Sequence, residues 1–128
     1  MRTLAQAGIR VGVFPNPILP LITDSERRLD QLARAAQEFG ASYFGGGLLF
    51  LMPAARRVFF PFLAERFPDL LKKYEERYTR NAYLRGEYSA MIGARVRAIR
   101  ARYGLDNGPL EHMPAGAGAE QPWLFEIR

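Results

Sequence analysis

A chain of 128 residues, 48% apolar and 24% charged, has the size and composition of one globular domain, which excludes disordered, collagenous and coiled-coil classes. Lysine and arginine number 18 against 13 acids, a net charge of +5. Cysteine is absent and His112 is the single histidine, so disulfides, cysteine-ligated zinc, iron–sulfur ligation from within the chain, thiol nucleophiles and multi-histidine metal sites are all removed.

Residues 1–7, closed by Ala7-Gly8, read as the stump of a helix, and Ile9-Arg10-Val11-Gly12-Val13-Phe14 as a strand. The strand is apolar on both faces, the mark of a covered parallel strand, and Pro15, Pro17 and Pro20 end it by removing ladder donors. A helix over 24–39 follows. Thr23 and Glu26 have capping-box spacing, and Asp24 or Ser25 could cap instead. Leu29, Leu32, Ala33, Ala36 and Phe39 form its apolar stripe and Gly40 stops it. Ser42 to Leu51 reads as the second strand, interrupted by Gly45-Gly46-Gly47. Residues 9–51 are therefore one βαβ unit with parallel strands and a right-handed crossover.

From residue 53 the pattern is helical. Val58, Phe59, Phe62, Leu63 and Phe67 make an aromatic stripe, with Pro61 predicting a break or kink. Pro68 starts a helix carrying Leu70, Leu71, Tyr74 and Tyr78. After a connection over 81–86, a helix over 87–103 turns Met91, Ile92, Val96, Ile99 and Tyr103 inward and ends at Gly104. The chain thus divides into residues 1–52, a helical region over 53–104, and a Gly/Pro-rich tail over 105–128, expected to be flexible, that holds His112 and a Gln121–Phe125 segment able to dock. No apolar run reaches the ~18 residues of a membrane span and the N-terminus has no signal-peptide core, so the expected location is cytoplasmic with no membrane partner.

Two parallel strands make a marginal sheet with both outer edges unpaired, and buried parallel strands belong to larger sheets or barrels covered by helices. The chain is expected to be the last third of an α/β protein. Ala7-Gly8-Ile9-Arg10-Val11-Gly12-Val13, Asn16-Pro17-Ile18-Leu19-Pro20 and Thr23-Asp24 carry a resemblance with this same implication. They resemble the fifth strand and exit loop of radical S-adenosylmethionine proteins, in the branch similar to spore photoproduct lyase, which typically reads AGIPVGV…PxIPGLxD. Leu21 stands where that branch usually has glycine. Gly40-Ala41, the strand to Leu51, Phe62-Leu63 through Phe67-Pro68 and, more loosely, Arg80 through Gly104 extend the likeness over residues 2–105.

The resemblance implies the C-terminal fragment of a partial (β/α)6 barrel, its last two parallel strands and crossover helix, followed by a C-terminal helical cap. It implies S-adenosylmethionine and a 4Fe–4S cluster for the complete protein, the cluster held by three cysteines spaced CxxxCxxC that this chain lacks. Met1 matches an interior position of the fourth crossover helix. A truncated gene, an assembly break or a split subunit would explain that, and the implied partner is the missing N-terminal barrel portion or a companion subunit. The chain alone is expected to be inactive, with no catalytic residue and no metal ligand of its own.

Function in α/β barrels sits at the C-terminal ends of the strands. By resemblance, Asn16, Ile18 and Pro20 from the first strand and Leu49, Leu51 and Met52 from the second border the adenosine of S-adenosylmethionine. The plainer alternative is ordinary barrel core. The glycine triplet either admits a ligand close to backbone or is a bulge, and without GxGxxG and a following helix it is no phosphate loop. Between 77 and 103, seven arginines face only Glu87. Arg95 and Arg102 share a helix face that could track nucleic-acid phosphates, or be a solvated face, or pair with acids. The competing readings are a small basic module binding nucleic acid or a partner protein, and a non-functional remnant without a stable fold.

Overall fold

The computed structural model describes residues 1–106. The expectations for His112 and Gln121–Phe125 fall outside the described residues. Five helices and two short strands run in the order α1 (Arg2–Gln6), β1 (Gly12–Val13), α2 (Glu26–Glu38), β2 (Tyr43–Phe44), α3 (Pro53–Arg66), α4 (Pro68–Tyr78) and α5 (Glu87–Arg102). The architecture is α/β, mainly helical around a small parallel sheet. Among the described residues, no helix is long and apolar enough to cross a membrane.

β1 and β2 pair in parallel, Gly12 opposite Tyr43 and Val13 opposite Phe44. The Tyr43 ring lies so close over Gly12 that a Cβ there would meet it at 2.1 Å. The strands are shorter than their apolar runs because prolines and glycines interrupt both. Pairing resumes at a parallel bridge between Ile18 and Leu48, with the Ile18 N–H donating to the Gly47 carbonyl at 2.8 Å. Between the two paired stretches the first segment passes through the cis Asn16–Pro17 bond and the second through the glycine triplet. Gly46 backs directly onto the Pro15 carbonyl, where a Cβ would stand 2.3 Å from the oxygen. The triplet is thus an interruption of the ladder at which the two backbones come close together.

The outer flank of β2 is not bare. The Phe44 N–H donates to the Leu105 carbonyl at 3.2 Å, and Asp106 forms an antiparallel bridge to Tyr43. This corrects two expectations: one edge of the sheet is capped by the chain itself, and Leu105, assigned to the tail, is fully buried. Gly104, with φ +62°, turns the chain out of α5 so that Leu105 can reach the sheet. β1 has β2 as its single strand neighbour among the described residues.

Ser25 caps α2, its Oγ accepting from the Arg28 N–H at 3.4 Å. Thr23 faces the other way and accepts from the Leu19 N–H at 2.8 Å, closing the 19–23 turn in which Leu21 adopts φ +61°. Of the α2 stripe, Leu29, Ala33 and Ala36 are buried, whereas Leu32 and Phe39 are exposed. α3 runs unbroken through Pro61. That proline is on the solvent side, where water can satisfy the carbonyl it frees, so a single helix survives. On α3 Leu63 is buried while Val58 and Phe62 are exposed, and on α5 Met91 is exposed.

Two apolar cores result. The first joins Ile18 and Phe44 of the sheet to Leu29, Ala33 and Ala36 of α2, to Ile92, Val96 and Ile99 of α5, and to Leu105. The second joins Leu49 and Leu51 to Leu63 of α3 and to Tyr74 and Tyr78 of α4. The pattern-based grouping of α5 with α3 and α4 therefore differs from the packing: α5 lies on α2 and the sheet.

Candidate functional site

The residues named from the resemblance separate into two sets. Ile18, Pro20, Leu49 and Leu51 are buried. Their main-chain groups are also engaged. The Leu49 N–H donates to the Ile18 carbonyl, and the Leu51 N–H to the Ala82 carbonyl. The Tyr74 hydroxyl donates to the Pro20 carbonyl at 2.5 Å, the Tyr78 hydroxyl to the Leu49 carbonyl at 2.9 Å, and Arg56 Nε to the Leu51 carbonyl at 3.1 Å. These four residues are core and scaffold here. Asn16 and Met52 remain exposed.

Asn16 sits in a groove of about 530 Å³ at the C-terminal ends of both strands. Phe14 and Asn16 contribute from the segment after β1, Gly45, Gly46 and Gly47 from the segment after β2, and Gly93, Val96, Arg97 and Arg100 from α5. The α5 residues follow the i, i+3, i+4, i+7 spacing of one helix face. Gly93 keeps that face low, and the glycine triplet leaves backbone rather than side chains as the opposite wall. Arg100 is tied by Nε to Asp106 at 2.8 Å, while no described acid pairs with Arg97. The groove therefore offers an amide, a glycine-backbone wall, an aromatic ring and a guanidinium, within the size range of small-molecule sites. Phe14 is absent from the sequence-derived site residues, and Arg97 and Arg100 enter the sequence reading only among the seven arginines of the basic stretch. The signal that could have found the arginines is the helical spacing, but the glycine face beside it points nowhere until α5 is known to pack against the sheet.

Arg95 and Arg102 are engaged by α2 and the segment that leads into it. Arg95 Nη1 donates to the Asp24 carbonyl, and Arg102 reaches Asp30 and, at 3.5 Å, Glu26. The Tyr103 hydroxyl adds a bond to Asp30 at 2.8 Å. Tyr103, followed by the Arg102 guanidinium, holds the Asp30 carboxyl below its usual range against some desolvation. Asp30 in turn favours the charged guanidinium and pushes the Tyr103 phenol up. Asp24, read from sequence as a helix-start residue, is buried and accepts a hydrogen bond from the Tyr88 hydroxyl. Burial and Asp24 together push the Tyr88 phenol up. Among the described residues no group of three His, Cys, Asp or Glu side chains could hold a metal ion.

No protein-family model and no solved structure matches the chain. Relatives in mycobacteria do: the uncharacterized proteins Mb2609c of Mycobacterium bovis, and MT2655 and Rv2578c of Mycobacterium tuberculosis, are each 38% identical over 112 residues. The match covers 85% of this chain and 31% of each relative, so the chain spans about a third of their length.

Proposed function

We propose that this chain acts as the C-terminal part of a radical S-adenosylmethionine iron–sulfur enzyme similar to the spore photoproduct lyase branch, supplying the last two strands of a partial barrel and part of the adenosine-side wall. The observation that carries the reading is β1, a covered-type parallel strand with a strand neighbour on one side alone among the described residues. The elements beside it leave large apolar side chains in water: Leu4, Ile9, Phe14, Leu32 and Phe39 are each more than 40% exposed. A further barrel strand laid along β1 would pair its open edge and cover such residues. The greater length of the mycobacterial relatives leaves room for those strands.

The residues present fit the adenosine part of S-adenosylmethionine at the groove beside Asn16, where glycine backbone and the Phe14 ring offer peptide groups and a flat apolar wall. In this reading Ile18, Pro20, Leu49 and Leu51 act as the buried frame of that wall. When bound, S-adenosylmethionine with its cluster supplies radical-generating chemistry. The chain has no cysteine and so does not fit the cluster, which the remainder of the barrel must hold.

The test is co-expression with the polypeptide encoded immediately upstream, followed by anaerobic iron–sulfur reconstitution. Expected are a stable complex, a CxxxCxxC in the companion, a 4Fe–4S spectrum and 5′-deoxyadenosine from the complex but not from either part. A companion without that motif, or no complex, overturns the reading. For the alternative of a nucleic-acid-binding helix, its two named contacts, Arg95 and Arg102, already have partners in Asp24 and in Asp30 and Glu26.

A further inference from the structure

A second, smaller cavity shares no lining residue with the strand-end groove. It has a volume of about 380 Å³ and is lined by Arg77 of α4, by Asn81, Tyr83, Leu84 and Arg85 of the α4–α5 connection, and by Tyr88 of α5. Arg77 lies with its guanidinium over the Tyr88 ring, 4.6 Å from the centroid. Its Nη1 is buried and has no hydrogen-bond partner among the described residues. A charged donor withdrawn from water and left unpaired is costly, and such groups in native proteins usually have a partner that completes them. Asp24, which takes the Tyr88 hydroxyl, forms no ion pair with Arg77. Arg85, on the same wall, has no described acid partner either. The cavity thus brings together two guanidinium groups, an amide and two phenol rings with no carboxylate among its lining residues.

We propose that this cavity binds a small oxyanion, the phosphate group of a phosphoester, with Arg77 and Arg85 as its two charged donors and Asn81 as a neutral one. Guanidinium forks match phosphate oxygens in pairs, and the two positive charges suit a dianion better than a single carboxylate. The Tyr83 and Tyr88 rings form the side wall against which the ester group would lie. The Tyr88 ring attracts the Arg77 guanidinium that lies over it, so that the donor is placed before the ligand arrives. The site stands apart from the adenosine groove and does not depend on the radical-enzyme reading.

The test titrates inorganic phosphate into the full chain at constant ionic strength, read by backbone amide shifts in NMR and by thermal melting. Expected are saturable shifts at Asn81, Leu84 and Tyr88 and a rise in melting temperature with phosphate. Arg77→Lys should weaken binding about tenfold by losing the planar fork. Arg85→Gln, a change at an exposed side chain, should weaken it roughly fivefold and keeps the test valid if Arg77→Lys does not fold. Lys72→Gln on the exposed side of α4 removes the same charge and should leave binding unchanged. Acetate at matched ionic strength should bind more weakly than phosphate. Unsaturable drift, acetate binding as tightly as phosphate, or equal affinity in Arg85→Gln and Lys72→Gln would overturn the proposal.

Discussion

Leu21 occupies a backbone conformation, φ +61°, in which an L side chain crowds its own carbonyl at roughly 1–2 kcal/mol. Glycine avoids that crowding, and glycine is what the resembling branch usually carries at this point. The turn is nonetheless over-determined. The Ile22 and Thr23 N–H groups both donate to the Leu19 carbonyl, Thr23 Oγ1 accepts from the Leu19 N–H, and Arg28 Nη1 donates to the Ile22 carbonyl at 2.7 Å. Substitutions should therefore rank by their tolerance of positive φ. Leu21→Gly is expected to be at least as stable as the parent, its relief of crowding offsetting the loss of an exposed side chain, and Leu21→Val less stable by about 1 kcal/mol. Urea unfolding midpoints of the two variants check the order, and a Val variant as stable as the Gly variant would contradict it.

Between elements, the fully buried side-chain ties are phenols. Tyr74 and Tyr78, one turn apart on α4 and stacked at 5.8 Å, each donate a hydroxyl hydrogen to a carbonyl at a strand exit, Pro20 for one and Leu49 for the other. Both side chains are fully buried, and burial pushes both phenols above the usual tyrosine range. Tyr74→Phe or Tyr78→Phe would strand a buried carbonyl, at an expected cost of about 1–3 kcal/mol each by chemical denaturation. A loss below the error of the measurement would mean that water reaches these carbonyls. The pH dependence has a definite sign. Folded-state pKa values lie above those of the unfolded chain, so this stabilisation is complete below a pH of about 10 and fades as alkali rises through the higher folded values. Tyrosinate absorbance should accordingly lag in the folded protein and appear with unfolding.

The α2–α5 tie through Asp30 runs the other way. Its carboxyl pKa is depressed, so the contribution is present at neutral pH and is lost as pH falls below about 3.9 through the lower folded value. Asp30→Asn should lower the melting temperature at pH 7 and converge with the parent in acid. A deficit unchanged at acid pH would assign the effect to something other than charge. The same contacts explain what could be read in the sequence. α2 was legible because Leu29, Ala33 and Ala36 recur at helical spacing between a serine cap and Gly40, all local signals. Arg95 and Arg102 were not, because their partners Asp24 and Asp30 lie more than 70 residues away. Leu105 stands at the head of a Gly/Pro-rich stretch, where nothing local predicts burial. At the candidate groove Asn16 was visible and Arg97 was not, since α5 becomes a wall of it only through tertiary packing.

At the scale of the whole molecule, two cores are joined where the chain passes from Ile18 to Leu19 and from Leu48 to Leu49. The second core closes around α3, α4 and the phenol ties. The first has helices on α2 and α5 but a sheet that stops at β1. Exposed Ile9 and Phe14 beside that edge should make the isolated chain self-associate in sedimentation velocity. Ile9→Lys and Phe14→Lys should return it to monomer without lowering its melting temperature, and an isolated parent chain that stays monomeric would speak against the open edge.

The short return of Leu105 and Asp106 onto Tyr43 and Phe44 decides what such association can look like. With that side occupied, hydrogen-bonded growth has one direction left. Two molecules meeting edge to edge through β1 would pair the open strand edge that the described residues leave. The cap on β2 thus acts as a stopper among the described residues: it turns run-on growth through both edges into pairing through β1 alone.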